Sequence, residues 1–293
     1  MSVKSKLKQG VKFILNNLAP TTKVYPQIAT LAPNKLLQGR TALITGGTSG
    51  IGYEMAKAFV NAGASVVITG RSIMRVNKAC SEIKSLFGAD TAIYGVELDN
   101  SQVSQFCRKF KEISDILAGR FIDIMVNNAG IRGGHIGTAS EKEFDDVLDT
   151  NLKGVFFLSQ LVAKEMIRNN IRGNILNIAS ASSVRPALSA YHISKWGIKG
   201  LTEGLARSLA PYGICVNAIA PGPTATPMLN KSGLAGEDIG HHKNLLGRYV
   251  TAAEVANMAV ILVSDISRSV IGDTIFMSGG GGVITNDDVD YAF

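Results

Sequence analysis

Residues 41–52 read Thr-Ala-Leu-Ile-Thr-Gly-Gly-Thr-Ser-Gly-Ile-Gly, a short apolar strand running into glycines at 46, 50 and 52. Beyond them, Tyr53 to Ala62 has the period of a helix, with Ile51, Met55, Ala58 and Phe59 on one stripe. Gly63 stops that helix, and Ser65–Thr69 (Ser-Val-Val-Ile-Thr) reads as a second buried strand. Strand, glycine-rich turn, helix and strand in about 30 residues form the βαβ unit that binds nucleotides. Glycine lets the backbone approach a pyrophosphate, and the helix N-terminus supplies unpaired N–H groups and the positive end of its dipole. The spacing here is G-x-x-x-G-x-G, not the G-x-G-x-x-G of many dinucleotide sites.

Far downstream, Tyr191 and Lys195 stand four apart at the head of a helical stretch, so both point to one face of it. A tyrosine of ordinary pKa, near 10, is a poor proton shuttle at neutral pH. A positive charge beside it favours the phenolate and brings it towards the range of general acid–base work.

These segments, with others between and after them, resemble the short-chain dehydrogenase/reductase family over nearly all of residues 40–280. The T-G-x-x-x-G-x-G turn matches at Thr45, Gly46, Gly50 and Gly52, and N-N-A-G at Asn127, Asn128, Ala129 and Gly130. N-L-x-G falls at Asn151, N-I-x-S at Asn177 to Ser180, then Tyr191 and Lys195, and P-G-x-x-x-T at Pro221, Gly222 and Thr226. Ser278-Gly279-Gly280 stands where the family has D-G-G. Ser180 precedes Tyr191 by 11 residues, fewer than in many members, which leaves Ser182 and Ser183 as alternatives to it.

The resemblance implies a doubly wound, mostly parallel α/β sheet of the Rossmann type and an oxidoreductase interconverting ketone and secondary alcohol. Ser180 would hold the substrate oxygen, Tyr191 would exchange a proton with it, and Lys195 would hold the nicotinamide ribose and favour the phenolate. Asn151 would position a water linking Lys195 to solvent. Cofactor contacts would come from Gly46, Thr48, Ser49, Gly50, Ile51 and Gly52, from Asn127, Ala129 and Gly130, and from Pro221, Gly222, Thr224 and Thr226, besides Tyr191 and Lys195. The alternative is a non-catalytic NADP(H)-binding sensor or scaffold of the same fold; such relatives lose the tyrosine or lysine, and this chain keeps both.

The end of the second strand bears on the cofactor. NAD sites place a carboxylate there, whereas NADP sites accommodate the 2′-phosphate with an arginine. This chain has Gly70, then Arg71, Ser72 and Arg75. A guanidinium pairs bidentately with phosphate, so NADP(H) is the preferred cofactor and NAD(H) the lesser alternative. Asp99, after a third strand over 92–98, is expected at the adenine amino group, with Glu97 as the other carboxylate in reach.

A chain of 293 residues with 46% hydrophobic and 18% charged side chains can bury one large core. The organisation expected is a basic extension over 1–38, one catalytic domain over 39–282 and a tail over 283–293. Seven Lys/Arg and no acidic residue lie in residues 1–40, so the net charge of +7 resides there and the rest is balanced. The catalytic domain therefore gives no electrostatic argument for nucleic acid. Leu7, Val11, Ile14, Leu15 and Leu18 follow helical spacing among lysines, which suits packing on protein or contact with a membrane surface. The longest apolar run in the core, over 154–163, is too short to span a bilayer. With no signal peptide pattern, a cytoplasmic location is expected. Cys80, Cys107 and Cys215 lack metal spacing and read as reduced core thiols. His241-His242 reads as a polar loop, and no metal is expected.

The substrate itself, a small carbonyl or alcohol on an acyl, steroid, sugar or other skeleton, is left open. The segments expected to meet it are 181–190 and 227–249, where Arg185, the histidine pair and Lys243 could greet an acidic group. An apolar stripe of Leu201, Leu205 and Leu209 is offered as a subunit face for a homodimer or homotetramer.

Overall fold

The computed structural model of the protein describes residues 35–230 and 245–281. Residues 1–34 of the basic extension, the His241-His242 pair with Lys243, and the tail lie outside the described residues. The first strand, β1 (Thr41–Ile44), leads into α1 (Gly50–Asn61) and β2 (Ser65–Gly70). Then follow α2 (Ile73–Phe87), β3 (Ile93–Glu97), α3 (Phe106–Leu117) and β4 (Ile124–Asn127). Next come α4 (Glu141–Leu148), α5 (Gly154–Arg168), β5 (Asn174–Ile178) and the long α6 (Ala190–Leu209). The chain continues through β6 (Cys215–Pro221), a two-residue pair β7 (Thr224–Ala225) and β8 (Val250–Thr251), α7 (Ala252–Val263) and β9 (Thr274–Met277).

Seven strands form one parallel sheet in the order β3-β2-β1-β4-β5-β6-β9. The alternation of side chains along each strand sends successive residues to opposite faces. Ala42, Ile44, Val66, Ile68, Ile124 and Val126 face α1, α2 and α7, where Met55, Phe59, Val76 and Val255 meet them. Leu43, Val67, Met125, Ile175 and Val216 face α3, α5 and α6, meeting Ile113, Leu158, Val162 and Leu209. A sheet covered on both faces requires the near-continuous apolar strands this sequence has. Each large side chain so buried contributes roughly 1.5–3 kcal/mol.

Leu37 is fully buried and its N–H bonds the Ala62 carbonyl at 2.9 Å, so the core takes in residues ahead of the expected boundary at 39. Of the stripe offered as a subunit face, Leu209 is buried in the core under α6, while Leu205 and Leu201 are half-buried against it. Helical periodicity finds an apolar face without telling which body covers it. Cys80 and Cys215 are buried thiols as read, but Cys107 is exposed on α3. Among the described residues no helix is long and apolar enough to cross a membrane.

The chain leaves β1 outward to β2 and β3, then crosses back to β4 on the other side of β1. Open α/β sheets bind ligands in the crevice outside such a switch point, beyond the carboxyl ends of the strands. Between α4 and α5, Asp149–Lys153 winds as a π-helix. Gly154, which follows, has no room for a side chain, because a Cβ there would lie 2.1 Å from the Asn100 carbonyl oxygen.

Candidate active site

A cavity of about 560 Å³ opens over the switch point. Its floor begins at the glycine turn. Gly46 and Gly50 hold φ of +65° and +57°, a left-handed backbone that side-chain-bearing residues rarely adopt. A Cβ at Gly46 would also lie 2.9 Å from Ala129 Cα. The first turn of α1 faces the cavity through Ser49, Gly50 and Ile51, and Ser49 at its N-cap makes no side-chain cap hydrogen bond. Gly52 does not line the cavity: a Cβ there would stand 2.4 Å from both Asn128 Nδ2 and the Gly46 carbonyl. Its place in the pattern is close packing. Asn128 ties this turn to β4, donating to the Thr45 and Gly46 carbonyls at 2.9 and 3.0 Å.

Arg71, Ser72 and Arg75 line the cavity beyond β2, as do Thr48, Asp99, Ala129, Gly130, Pro221, Gly222, Thr224 and Thr226. Asp99, not Glu97, forms the wall, with Oδ1 accepting from Ser101 N and Oγ, both at 2.9 Å. Asn100 lines the same end with a buried carboxamide that has no hydrogen-bond partner. A long crevice with open helix N–H groups, two arginines at one end and an unsatisfied amide beside them fits a dinucleotide.

At the other end stand Ser180, Tyr191 and Lys195. Ser180 closes β5 and heads a 3₁₀ turn, Ala181–Val184, which accounts for its short spacing to Tyr191. Its hydroxyl sits near the Tyr191 phenol and favours the phenolate. Ser183 is buried, bonding the Ser180 carbonyl at 2.7 Å, and Ser182 donates its N–H to Ser180 Oγ at 3.1 Å. Of the three serines, Ser180 is the one that acts on the tyrosine's pKa.

Lys195 is buried, its Nζ donating to the Ile178 carbonyl at 2.7 Å and lying 5.7 Å from the Tyr191 ring centre. Burial pulls its pKa down from 10.5 to about 8. Tyr191 differs from expectation. Burial raises its pKa, outweighing the Ser180 hydrogen bond and the positive charge of Arg132. A positive charge that favours the phenolate here is Arg132, from the loop after β4.

Two expected site residues act from behind the wall. Asn127 is buried, donating to Ser159 Oγ and Asn177 Oδ1, both at 2.8 Å. Asn151, inside the π-helical turn, accepts from Ile131 N at 2.8 Å and donates to the Ile131 carbonyl at 2.8 Å and Ser194 Oγ at 3.2 Å. Its amide thus staples the loop after β4 to α6. Irregular helix turns of this kind cluster at functional sites. Reading the sequence missed Asn128 as the brace of the turn and Arg132 as a wall residue. Both lie within or beside N-N-A-G, and only the pairing of distant segments reveals their use.

The family model for short chain dehydrogenase matches residues 40–235. The chain is 35% identical to the 3-oxoacyl-[acyl-carrier-protein] reductase of Aquifex aeolicus, over 83% of this chain and 98% of that one. It is 34% identical to the gluconate 5-dehydrogenase of Gluconobacter oxydans, over 83% and 95%. Among solved structures, a gluconate 5-dehydrogenase from Burkholderia cenocepacia in complex with NADP and tartrate aligns with a TM-score of 0.77 at 30% identity, covering 87% of this chain and all of that one. A 3-ketoacyl-(acyl-carrier-protein) reductase from Brucella melitensis complexed with NADH aligns with a TM-score of 0.74 at 30% identity, covering 84% of this chain and all of that one. The chain belongs to the short-chain dehydrogenase/reductase family. It is an oxidoreductase of the CH–OH/C=O class that works with a nicotinamide cofactor.

Proposed function

We propose that the protein is an NADP(H)-preferring reductase of a small carbonyl compound, with Tyr191 as its proton donor. The observation that carries this reading is the gathering of Ser180, Tyr191 and Lys195 at one end of the cavity wall, with Lys195 buried and held by the Ile178 carbonyl. A reduced nicotinamide supplies the hydride. Ser180 Oγ donates a hydrogen bond to the substrate oxygen, favouring the charge that builds on it in the transition state. Tyr191 Oη gives that oxygen its proton, and the same steps reversed oxidise the alcohol. Lys195, at a pKa of about 8, exchanges protons near neutral pH and holds the ribose hydroxyls. Asn151 is a positioning residue, acting through Ile131 and Ser194.

The preference for NADP(H) rests on Arg71 and Arg75 at the cavity wall and the lack of a carboxylate at position 70. Cytoplasmic work as a homodimer or homotetramer fits this reading. The exposed Phe156 and Phe157 of α5, beside the half-buried Leu201 and Leu205 of α6, are candidates for a subunit contact. The test is a panel of ketones offered with each cofactor. The expected result is consumption of NADPH with a higher kcat/KM than for NADH; equal or better use of NADH would sink the cofactor assignment.

A further inference from the structure

The loop after β4 folds back on the head of α6. Ala190 N bonds the Gly134 carbonyl at 2.8 Å, Ile136 N bonds the Leu188 carbonyl at 3.1 Å, and His135 and Ser189 form an antiparallel bridge. This seam brings Arg132 to the cavity wall beside Tyr191. Arg185, at the end of the 3₁₀ turn after Ser180, lines the same end, its carbonyl held by Trp196 Nε1 at 2.7 Å. Neither guanidinium has an ion-pair partner among the described residues. The one described carboxylate on the cavity wall is Asp99, at the adenine end beyond β3. Glu143 lies behind the loop, accepting from Gly134 N at 2.9 Å.

The surroundings of His192 show that the positive charge is concentrated here. Its pKa is lowered by burial first, then by His135, Arg132 and Arg185. Arg132 and Arg185 therefore line the end of the cavity where the reacting oxygen must sit, with His135 and His192 close to them. These arginines are not the phosphate-binding pair. Arg71 follows β2, whereas Arg132 and Arg185 sit in the segments after β4 and β5, across β1 in the sheet order. A carboxylate can pair with an exposed guanidinium such as either of these through two parallel hydrogen bonds, which a neutral ketone cannot do.

We propose that Arg132 and Arg185 are the specificity residues of the substrate site and that the substrate carries a carboxylate: a hydroxy acid in one direction, an oxo acid in the other. This rests on the reading of the Ser180–Tyr191 end as the site of reduction, and it deepens that reading by naming the substrate class. The carboxylate itself does not react. It fixes the neighbouring carbon so that its oxygen meets Ser180 and Tyr191.

The test compares matched pairs on the full chain: acetoacetate against methyl acetoacetate with NADPH, and gluconate against sorbitol with NADP+. In parallel, the melting temperature of the NADP+-loaded protein is followed with added tartrate. The acid is expected to be preferred in kcat/KM by roughly tenfold to a hundredfold, the range of a charge-assisted hydrogen bond. Arg132→Met and Arg185→Met should each bring the acid-to-neutral ratio towards one, mainly through KM, and remove the rise in melting temperature with tartrate. Arg132→Lys, which keeps the charge, should recover part of both. Equal use of acid and neutral partner, or a ratio unmoved in Met variants that still bind NADPH, overturns the proposal. If no pair is turned over, an arginine-dependent rise with tartrate still supports the anion site while the reductase reading fails. No rise with tartrate in that case overturns the anion site as well.

Discussion

Five helices begin with a Ser or Thr at the N-cap, and they divide by place. Ser140, Ser189 and Thr251, heading α4, α6 and α7, each accept a hydrogen bond from a backbone N–H of their own first turn. At α7 the cap is reciprocal: Glu254 returns a bond to Thr251, and the Arg248 hydrogen bond first of all holds its carboxyl down at about 2. Ser49 and Ser72, heading α1 and α2, make no such bond, and both line the cavity. A side-chain cap satisfies the orphan N–H groups of a helix start and stabilises the fold by about 1 kcal/mol. An open start keeps those groups for an anion. The nucleotide end of the site is therefore left incomplete by the fold, whereas the catalytic end on α6 is finished before any ligand arrives.

The largest expected effect separates chemistry from binding. Tyr191→Phe should lower turnover by about a thousandfold or more, the upper part of what a positioned acid–base group supplies, while NADPH affinity stays near that of the parent. Retained turnover would remove Tyr191 from the chemistry and leave α6 a scaffold.

Lys195 tests how finished the catalytic end is. Its folded pKa of about 8 lies below the unfolded 10.5, so between those values the unfolded chain binds more protons and stability rises with pH. The rise due to this one buried group amounts to about 3 kcal/mol. Cys80 and Tyr53, pushed up to about 11 and about 12 by burial, act in the opposite sense at higher pH. The informative quantity is thus the difference between parent and Lys195→Met in chemical denaturation from pH 8 to 10.5. Parallel curves would mean that the ammonium is not desolvated.

At the open end, Arg71→Met should lower the NADPH-to-NADH ratio of kcat/KM by about tenfold to a hundredfold, as loss of a charge-assisted pair to phosphate would. Adding an aspartate at position 70 is a poorer probe than its chemistry suggests, because a Cβ there would lie 2.9 Å from Thr48 Cγ2. A ratio unchanged by Arg71→Met would move the 2′-phosphate contact to Arg75.

The smallest effect addresses the caps directly. Ser189→Ala should cost about 1 kcal/mol of stability without cofactor, and Ser49→Ala less than about half of that. Ser49→Ala should instead show itself in weaker NADPH binding, measured by titration. Equal losses of stability from the two would erase the distinction between open and closed helix starts.

The two ends were unequally legible in the sequence. The βαβ unit could be read because its signals are local: a strand, glycines where φ must be positive, and a helix of correct period within one short window. Tyr191 and Lys195 were legible for the same reason, being one helical turn apart. Arg132 was not, because its position depends on the seam between His135 and Ser189, 54 residues apart in the chain. Asn151 was picked out by its motif, but that the π-helical turn aims its amide at Ile131 and Ser194 was not legible, because no residue period announces such a turn. Gly52 was found correctly in the pattern, but its reason, contact with Asn128 and Gly46, is a matter of packing between elements.

Gly154 joins the two ends mechanically. With backbone lying against the Asn100 carbonyl, the start of α5 and the loop bearing Asp99 and Asn100 have no compressible side chain between them. The turn that carries Asn151 is the residue run immediately before. A methyl group at position 154 would therefore have to part the Asn100 loop from the turn that holds Asn151, so this one close approach fixes the spacing between the two ends of the site.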